Sequence, residues 1–188
     1  MLIWAFHATV AQAPRDLISW HAGCPVPISD LRLVRLTYWG FDDRSHAGSL
    51  VVHRDAVRPV VRALRALYEA RFPIRRMVLV DRYGASDDRS MAADNTSAFN
   101  CRRVEGSSSW SEHAYGRAID VNPLENPYIS RRGVLPPAGR AFLDRSSRRR
   151  GMIHPGGAVV RAFARVGWSW GGAWTSPRDY QHFSAKGR

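Results

Sequence analysis

Two short segments, Ser111-Glu-His113-Ala-Tyr-Gly116-Arg-Ala118-Ile-Asp120 and Asp179-Tyr-Gln-His182-Phe183, lie far apart in the chain, and each carries an imidazole and a carboxylate among small or apolar neighbours. If these groups share one metal ion, the fold must lay the two segments side by side, a stricter demand than any that composition imposes. His113, Asp120 and His182 would make three protein ligands and leave the fourth tetrahedral position for water, which is the arrangement of catalytic rather than structural zinc. Asp179, three residues before His182, is then a second carboxylate held near that water and suited to take its proton.

The local pattern supports this geometry. Gly116 permits a sharp bend, after which Ala118, Asp120 and Asn122 share one strand face while Ile119 and Val121 occupy the other. Glu112 is a competing ligand for Asp120, but in an extended chain it points away from His113. Ser111 either hydrogen-bonds a substrate or helps to orient the imidazole. Asp179 has a plainer reading as a turn residue after Ser176-Pro177. His7, His21, His46, His53 and His154 lack such company and read as ordinary packed or surface residues.

Elsewhere, Leu31 to Trp39 is rich in strand formers and alternates imperfectly, and Leu50 to His53 continues as a second strand. Val57, Val60, Val61, Leu64, Leu67 and Tyr68 recur at helical spacing, with Arg62, Arg65 and Arg71 on the wet side. Met77 to Val80 reads as a third strand, followed by a polar stretch from Asp81 to Ser109 too long for a plain connection. Residues 123–138 hold four prolines and read as an irregular covering loop. A second helix is expected from about Gly157 to Arg165, and a terminal strand carries His182. The tryptophans of Trp168-Ser-Trp170-Gly-Gly-Ala-Trp174 read as core and cleft wall or as a sugar-stacking platform.

The 188-residue length and 45% apolar content suit one domain with its own core. The formal charge of +12 comes almost wholly from arginine, Lys186 being the only lysine, and favours anionic partners without choosing among nucleic acid, acidic lipid and wall polymer. Biased genomic base composition would also produce it. No apolar run approaches the ~20 residues needed to cross a bilayer. Residues 1–23 read as an N-terminal extension or weak leader: Met1 to Phe6 and Ala11-Gln-Ala13 are similar to the tail of a secretory signal, but a basic start is missing and Pro14 opposes cleavage there. Cys24 and Cys101 are either a disulfide or two buried thiols.

The motifs Ser111-x-His113-x-x-Gly116-x-Ala118-x-Asp120 and Asp179-x-x-His182-Phe183, with Gly167-Trp-x-Trp-Gly-Gly-x-Trp174 and the Asp94 to Arg102 stretch, resemble the M15 metallopeptidases. These are relatives of D-alanyl-D-alanine carboxypeptidases and of L-alanyl-D-glutamate endopeptidases. The resemblance covers roughly residues 24–184. It implies a small α+β domain around a central antiparallel sheet flanked by helices, spanning 24–188, and one zinc ion on His113, Asp120 and His182 with Asp179 as general base. Asp rather than Glu at the base position is similar to the endopeptidase-like branch, subgroup C of that family. The family's carbonyl-steadying arginine is assigned to Arg102, with Arg82 in reserve, and Ser111 and Trp174 are further candidate substrate contacts.

The resemblance implies hydrolysis of peptidoglycan stem peptides, by carboxypeptidase or endopeptidase action, in an extracytoplasmic location and as a monomer. A basic cleft would suit the free carboxylates of such peptides. The competing class is a non-catalytic basic module that binds wall polymer or nucleic acid around a vestigial zinc site. Intact ligands together with Asp179 favour the enzyme, and no nucleic-acid recognition motif is visible, so no nucleic-acid partner is expected.

Overall fold

Alternation within Leu31 to Trp39 changes parity midway because this strand is buried on both faces. The computed structural model describes residues 5–187. It begins with three antiparallel strands, β1 (Ala8–Gln12), β2 (Leu31–Trp39) and β3 (Ser45–His53), hydrogen-bonded in that order. Leu31 and Leu33 of β2 join a small cluster with Ala13, Leu17, Val51, Phe99 and Cys101, whereas Val34, Leu36 and Tyr38 point into the main core. One apolar side chain out of phase moves a strand from one core to the other. β1 falls inside the 1–23 stretch and pairs with β2 from Ala8↔Leu36 to Gln12↔Arg32. Residues 1–4 of the leader-like opening lie outside the described residues.

Helix α1 (Val57–Glu69) buries Val60, Ala63, Leu64 and Leu67 and leaves Arg62 and Arg65 exposed, as its period predicts. Each such fully buried branched side chain contributes about 1.5–3 kcal/mol. Met77 to Val80 is not a strand. Its Met77 carbonyl accepts from Ser49 N at 3.0 Å, but Val78 is satisfied on both sides by the side-chain amide of the buried Asn95, at 2.9 and 3.0 Å. From Val80 the chain turns into a 3-10 helix that ends at Tyr83. The polar stretch that follows contains α2 (Asp87–Ala92), whose N-terminus is capped by Ser86 Oγ accepting from Arg89 N, with Asp87 and Asp88 facing the positive end of its dipole.

The second half builds two more small sheets. β4 (Ala118–Asp120), β5 (Tyr128–Ser130), β6 (Gly133–Leu135), β7 (Ser169–Trp170), β8 (Arg178–Asp179) and β9 (His182–Ser184) pair as β4-β9-β7 and β6-β5-β8, antiparallel throughout. Residues 123–138, expected to be irregular, thus hold the β5–β6 hairpin. Pro123, Pro127, Pro136 and Pro137 all fall outside its strands, so none removes a ladder donor. α3 (Ala158–Ala164) packs Val159, Ala162 and Phe163 into the core shared with α1. There Phe163 stacks on Phe183 of β9 at 4.1 Å between ring centroids. The fold class is α+β, with its sheet content divided into three three-stranded pieces rather than gathered in one. No helix among the described residues is long and apolar enough to cross a membrane.

Two features tie these pieces together. Cys24 and Cys101 are joined by a disulfide across 77 residues. Beneath β4, Asn122 and Asn126 bind the backbone of Pro73, Gly151 and Ile153, and the adjacent Glu125 is buried beside Asp94, with Arg75 at 3.8 and 3.6 Å from the two carboxyls. Burial first and the Asp94 carboxylate second push the Glu125 carboxyl up to about 8.

Replacing both cysteines by serine should lower the unfolding free energy by about 4 kcal/mol in the chain-entropy account, measured by denaturant titration. Because the native Glu125 holds its proton above its unfolded pKa, stability should fall as pH rises from about 5 through 8. Glu125→Gln should flatten that decline in melting temperature.

Candidate metal centre

Ser111 ends an extended segment and caps a 3-10 turn, Glu112–Tyr115, by accepting from His113 N at 3.3 Å. The turn closes at Gly116 with φ 65, and a Cβ there would meet His53 N at 2.5 Å, so the close approach of this turn to the end of β3 requires glycine. The turn, rather than an extended chain, is what separates Glu112 from the metal-facing groups. Beyond it, β4 pairs with β9 in a register that sets Asp120 directly opposite His182.

The donors converge. His113 Nε2 lies 3.1 Å from Asp120 Oδ2, His182 Nδ1 lies 3.1 Å from Asp120 Oδ1, and the two ring nitrogens are 3.2 Å apart. Zinc bonds of about 2.0–2.2 Å at tetrahedral angles need donor separations of roughly 3.3–3.5 Å, so small shifts would place one ion at a common vertex. His113 Nδ1 is 2.6 Å from the Ala98 carbonyl, which holds the proton on that nitrogen and turns a lone pair on Nε2 toward the vertex. These three side chains could hold a single metal ion. His21, Cys24 and Cys101 also cluster, but their sulfurs are consumed by the disulfide.

Asp179 reaches the same place through a break in regular structure. A spacing of three would put Asp179 and His182 on opposite faces of a continuous strand. Tyr180 and Gln181 instead bend between β8 and β9, and both Asp179 and His182 line one cleft of about 560 Å³. Asp179 Oδ1 is cut off from solvent and has no hydrogen-bond partner among the described residues. Burial and then the Asp120 carboxylate raise the Asp179 carboxyl well above its usual range. Asp120 moves the other way: burial disfavours its charge, but His113 and His182 more than offset this and lower it. Burial opposes the charge on His113 as well, yet Asp120 prevails and raises it, whereas burial prevails at His182 and lowers it. Two carboxyls driven apart in this way can serve as ligand and proton acceptor.

The remaining candidates divide. Arg102 lines the cleft and is held by Asp87 of α2 at 2.7 Å. Trp174 lines it too, its ring centroid 5.4 Å from that of His182. Arg82 is exposed on the turn before α2 and does not line the cleft. The cleft is not basic: Asp87, Asp88, Glu105, Glu112, Asp120 and Asp179 line it against only two arginines, Arg102 and Arg103. The excess positive charge lies elsewhere on the molecule. Asp87 escaped the sequence reading, and Gly171 and Gln181 stood there only as motif positions without a role, although Ser86-Asp-Asp is a legible cap for the helix that carries Asp87.

Residues 105–185 match the family model described as D-alanyl-D-alanine carboxypeptidase. This part of the chain is similar to the M15 peptidases. The match covers less than half of the sequence, and includes His113, Asp120, Asp179 and His182 while leaving out Asp87 and Arg102. No curated protein and no solved structure matches the chain.

Within the matched segment, Gly171 packs closely against both Asp179 and His182. A Cβ there would lie 2.7 Å from Asp179 O and 3.2 Å from His182 Cβ. Gly171→Ala should therefore weaken metal binding about ten- to a hundredfold, the usual cost of disturbing a ligand's supports, as read by competition with a chromophoric chelator.

Proposed function

We propose that this protein is a zinc-dependent peptidase that hydrolyses peptidoglycan stem peptides. The observation that carries the reading is the meeting of three donors at one vertex with the unpartnered Asp179 Oδ1 on the same cleft wall. His113, Asp120 and His182 would hold the ion, and bound zinc supplies Lewis acidity toward a scissile carbonyl and toward water. Asp179 takes the proton from the attacking water and delivers it to the departing amine nitrogen. Arg102 faces the charge that develops on the carbonyl oxygen, and Asp87 fixes its guanidinium so that little reorganisation is needed. Ser111 orients His113 through its backbone, and Trp174 walls the cleft beside His182.

Asp at position 179, where the carboxypeptidase branch of the resembled family usually carries Glu, supports internal cleavage over removal of a terminal residue. The disulfide fits an extracytoplasmic site of action, where oxidising conditions preserve it.

The test is metal analysis with mass spectrometry of muropeptide digests. Asp179→Asn should keep stoichiometric zinc and lose at least a hundredfold in kcat. His113→Ala should lose both metal and turnover. Normal turnover by the Asn variant would remove Asp179 from the mechanism, and inert wild-type protein at full zinc occupancy would remove the peptidase reading.

A further inference from the structure

Besides Asp179, two acceptors on the cleft wall outside the metal cluster, Glu112 Oε2 and Gln181 Oε1, are buried without a hydrogen-bond partner among the described residues. Gln181 is 1% exposed, yet it is among the residues that line the cleft, with Asp179 and His182. The amide nitrogen edge is directed to Met91 Sδ, at 3.5 Å, and to the Asp179 carboxyl. Its carbonyl oxygen, Oε1, has no donor among the described residues. The backbone carbonyl of the same residue, by contrast, accepts from Val121 N at 3.0 Å.

A buried amide oxygen without a donor is costly, and an apolar side chain of similar length would fill this space without that cost. Methionine is the near-isostere. A donor that arrives with a ligand removes the cost and converts it into affinity. Gln181 follows the proposed proton acceptor Asp179 by two residues and precedes the proposed ligand His182, so a donor that reaches it belongs to the part of a substrate beside the bond to be cut. Of the cleft's other acceptors, the Asp87 carboxylate is held by Arg102 and the Glu105 carboxylate by Arg132 at 2.6 Å.

We propose that Gln181 Oε1 is a substrate-docking acceptor, taking a hydrogen bond from a backbone N–H of the bound peptide beside the scissile bond. The assignment rests on the peptidase reading above and deepens it into a preference for an unsubstituted amide at that position. Substrates with an ester or an N-alkylated residue there are selected against.

The experiment uses full-length, zinc-loaded protein carrying Asp179→Asn, so that peptide is bound without being consumed, and titrates it calorimetrically with a synthetic stem pentapeptide. Adding Gln181→Met should weaken binding about tenfold, the worth of one uncharged hydrogen bond, with zinc content unchanged and a melting temperature no lower than the parent's. A set of peptides in which each amide in turn is replaced by an ester should contain one member that binds about tenfold worse to the protein retaining Gln181 and equally well to the protein carrying Gln181→Met. Equal binding by both proteins, or ester effects that are the same in both, would overturn the docking role. Loss of zinc or of thermal stability in the Gln181→Met variant would also overturn it, by showing that Gln181 serves the fold. Coupling between Gln181 and one amide in a protein whose wild type never hydrolyses would retire the peptidase reading and leave the docking site standing.

Discussion

The pairing of Asp120 with His182 across β4 and β9 is the constraint on which the rest of the molecule turns. Antiparallel register brings a carboxylate and an imidazole from distant parts of the chain face to face. A slip of one residue would send both to the opposite side of the sheet, where Ile119 and Phe183 now complete the core. The stacking of Phe183 on Phe163 and the full burial of Ile119 therefore do more than contribute hydrophobic energy. They lock the register, and the register places the donors.

His113 is the one donor that β-pairing does not place. It depends on a capped turn that could not close without a left-handed glycine pressed against β3, and on the Ala98 carbonyl that selects the free nitrogen of its ring. The first sheet thereby supports a centre to which it gives no ligand. Asp179 likewise owes its position to a bend, and to Gly171 packed beneath it.

What could be read from the chain follows from how local each cause is. α1 was legible because its apolar period and its packing agree, and the candidate donors that the fold brings together were legible because each stands in a short motif whose neighbours have their own physical reasons. The strand expected at Met77 was not found because a single side chain, Asn95, does the hydrogen bonding of a neighbouring strand, which no periodicity can reveal. The β5–β6 hairpin was hidden by its prolines and by its short strands, which depend on β8 from much later in the chain. The charge of the cleft was misjudged for a different reason. Net charge sums over the chain, whereas the cleft collects acids from α2, from the 103–112 loop and from β8 while most arginines remain elsewhere. Asp87 and Gln181 gained chemical meaning only through what they touch, or fail to touch, once folded.

The cross-link between Cys24 and Cys101 has a consequence for the molecule's durability. Should a protease clip the main chain anywhere between those two positions, neither fragment could drift away, since the sulfur bridge would still hold them as one covalent body. The arginine at 102 adjoins one anchor of that bridge, so a nicked molecule would keep it tethered beside its acidic partner on α2.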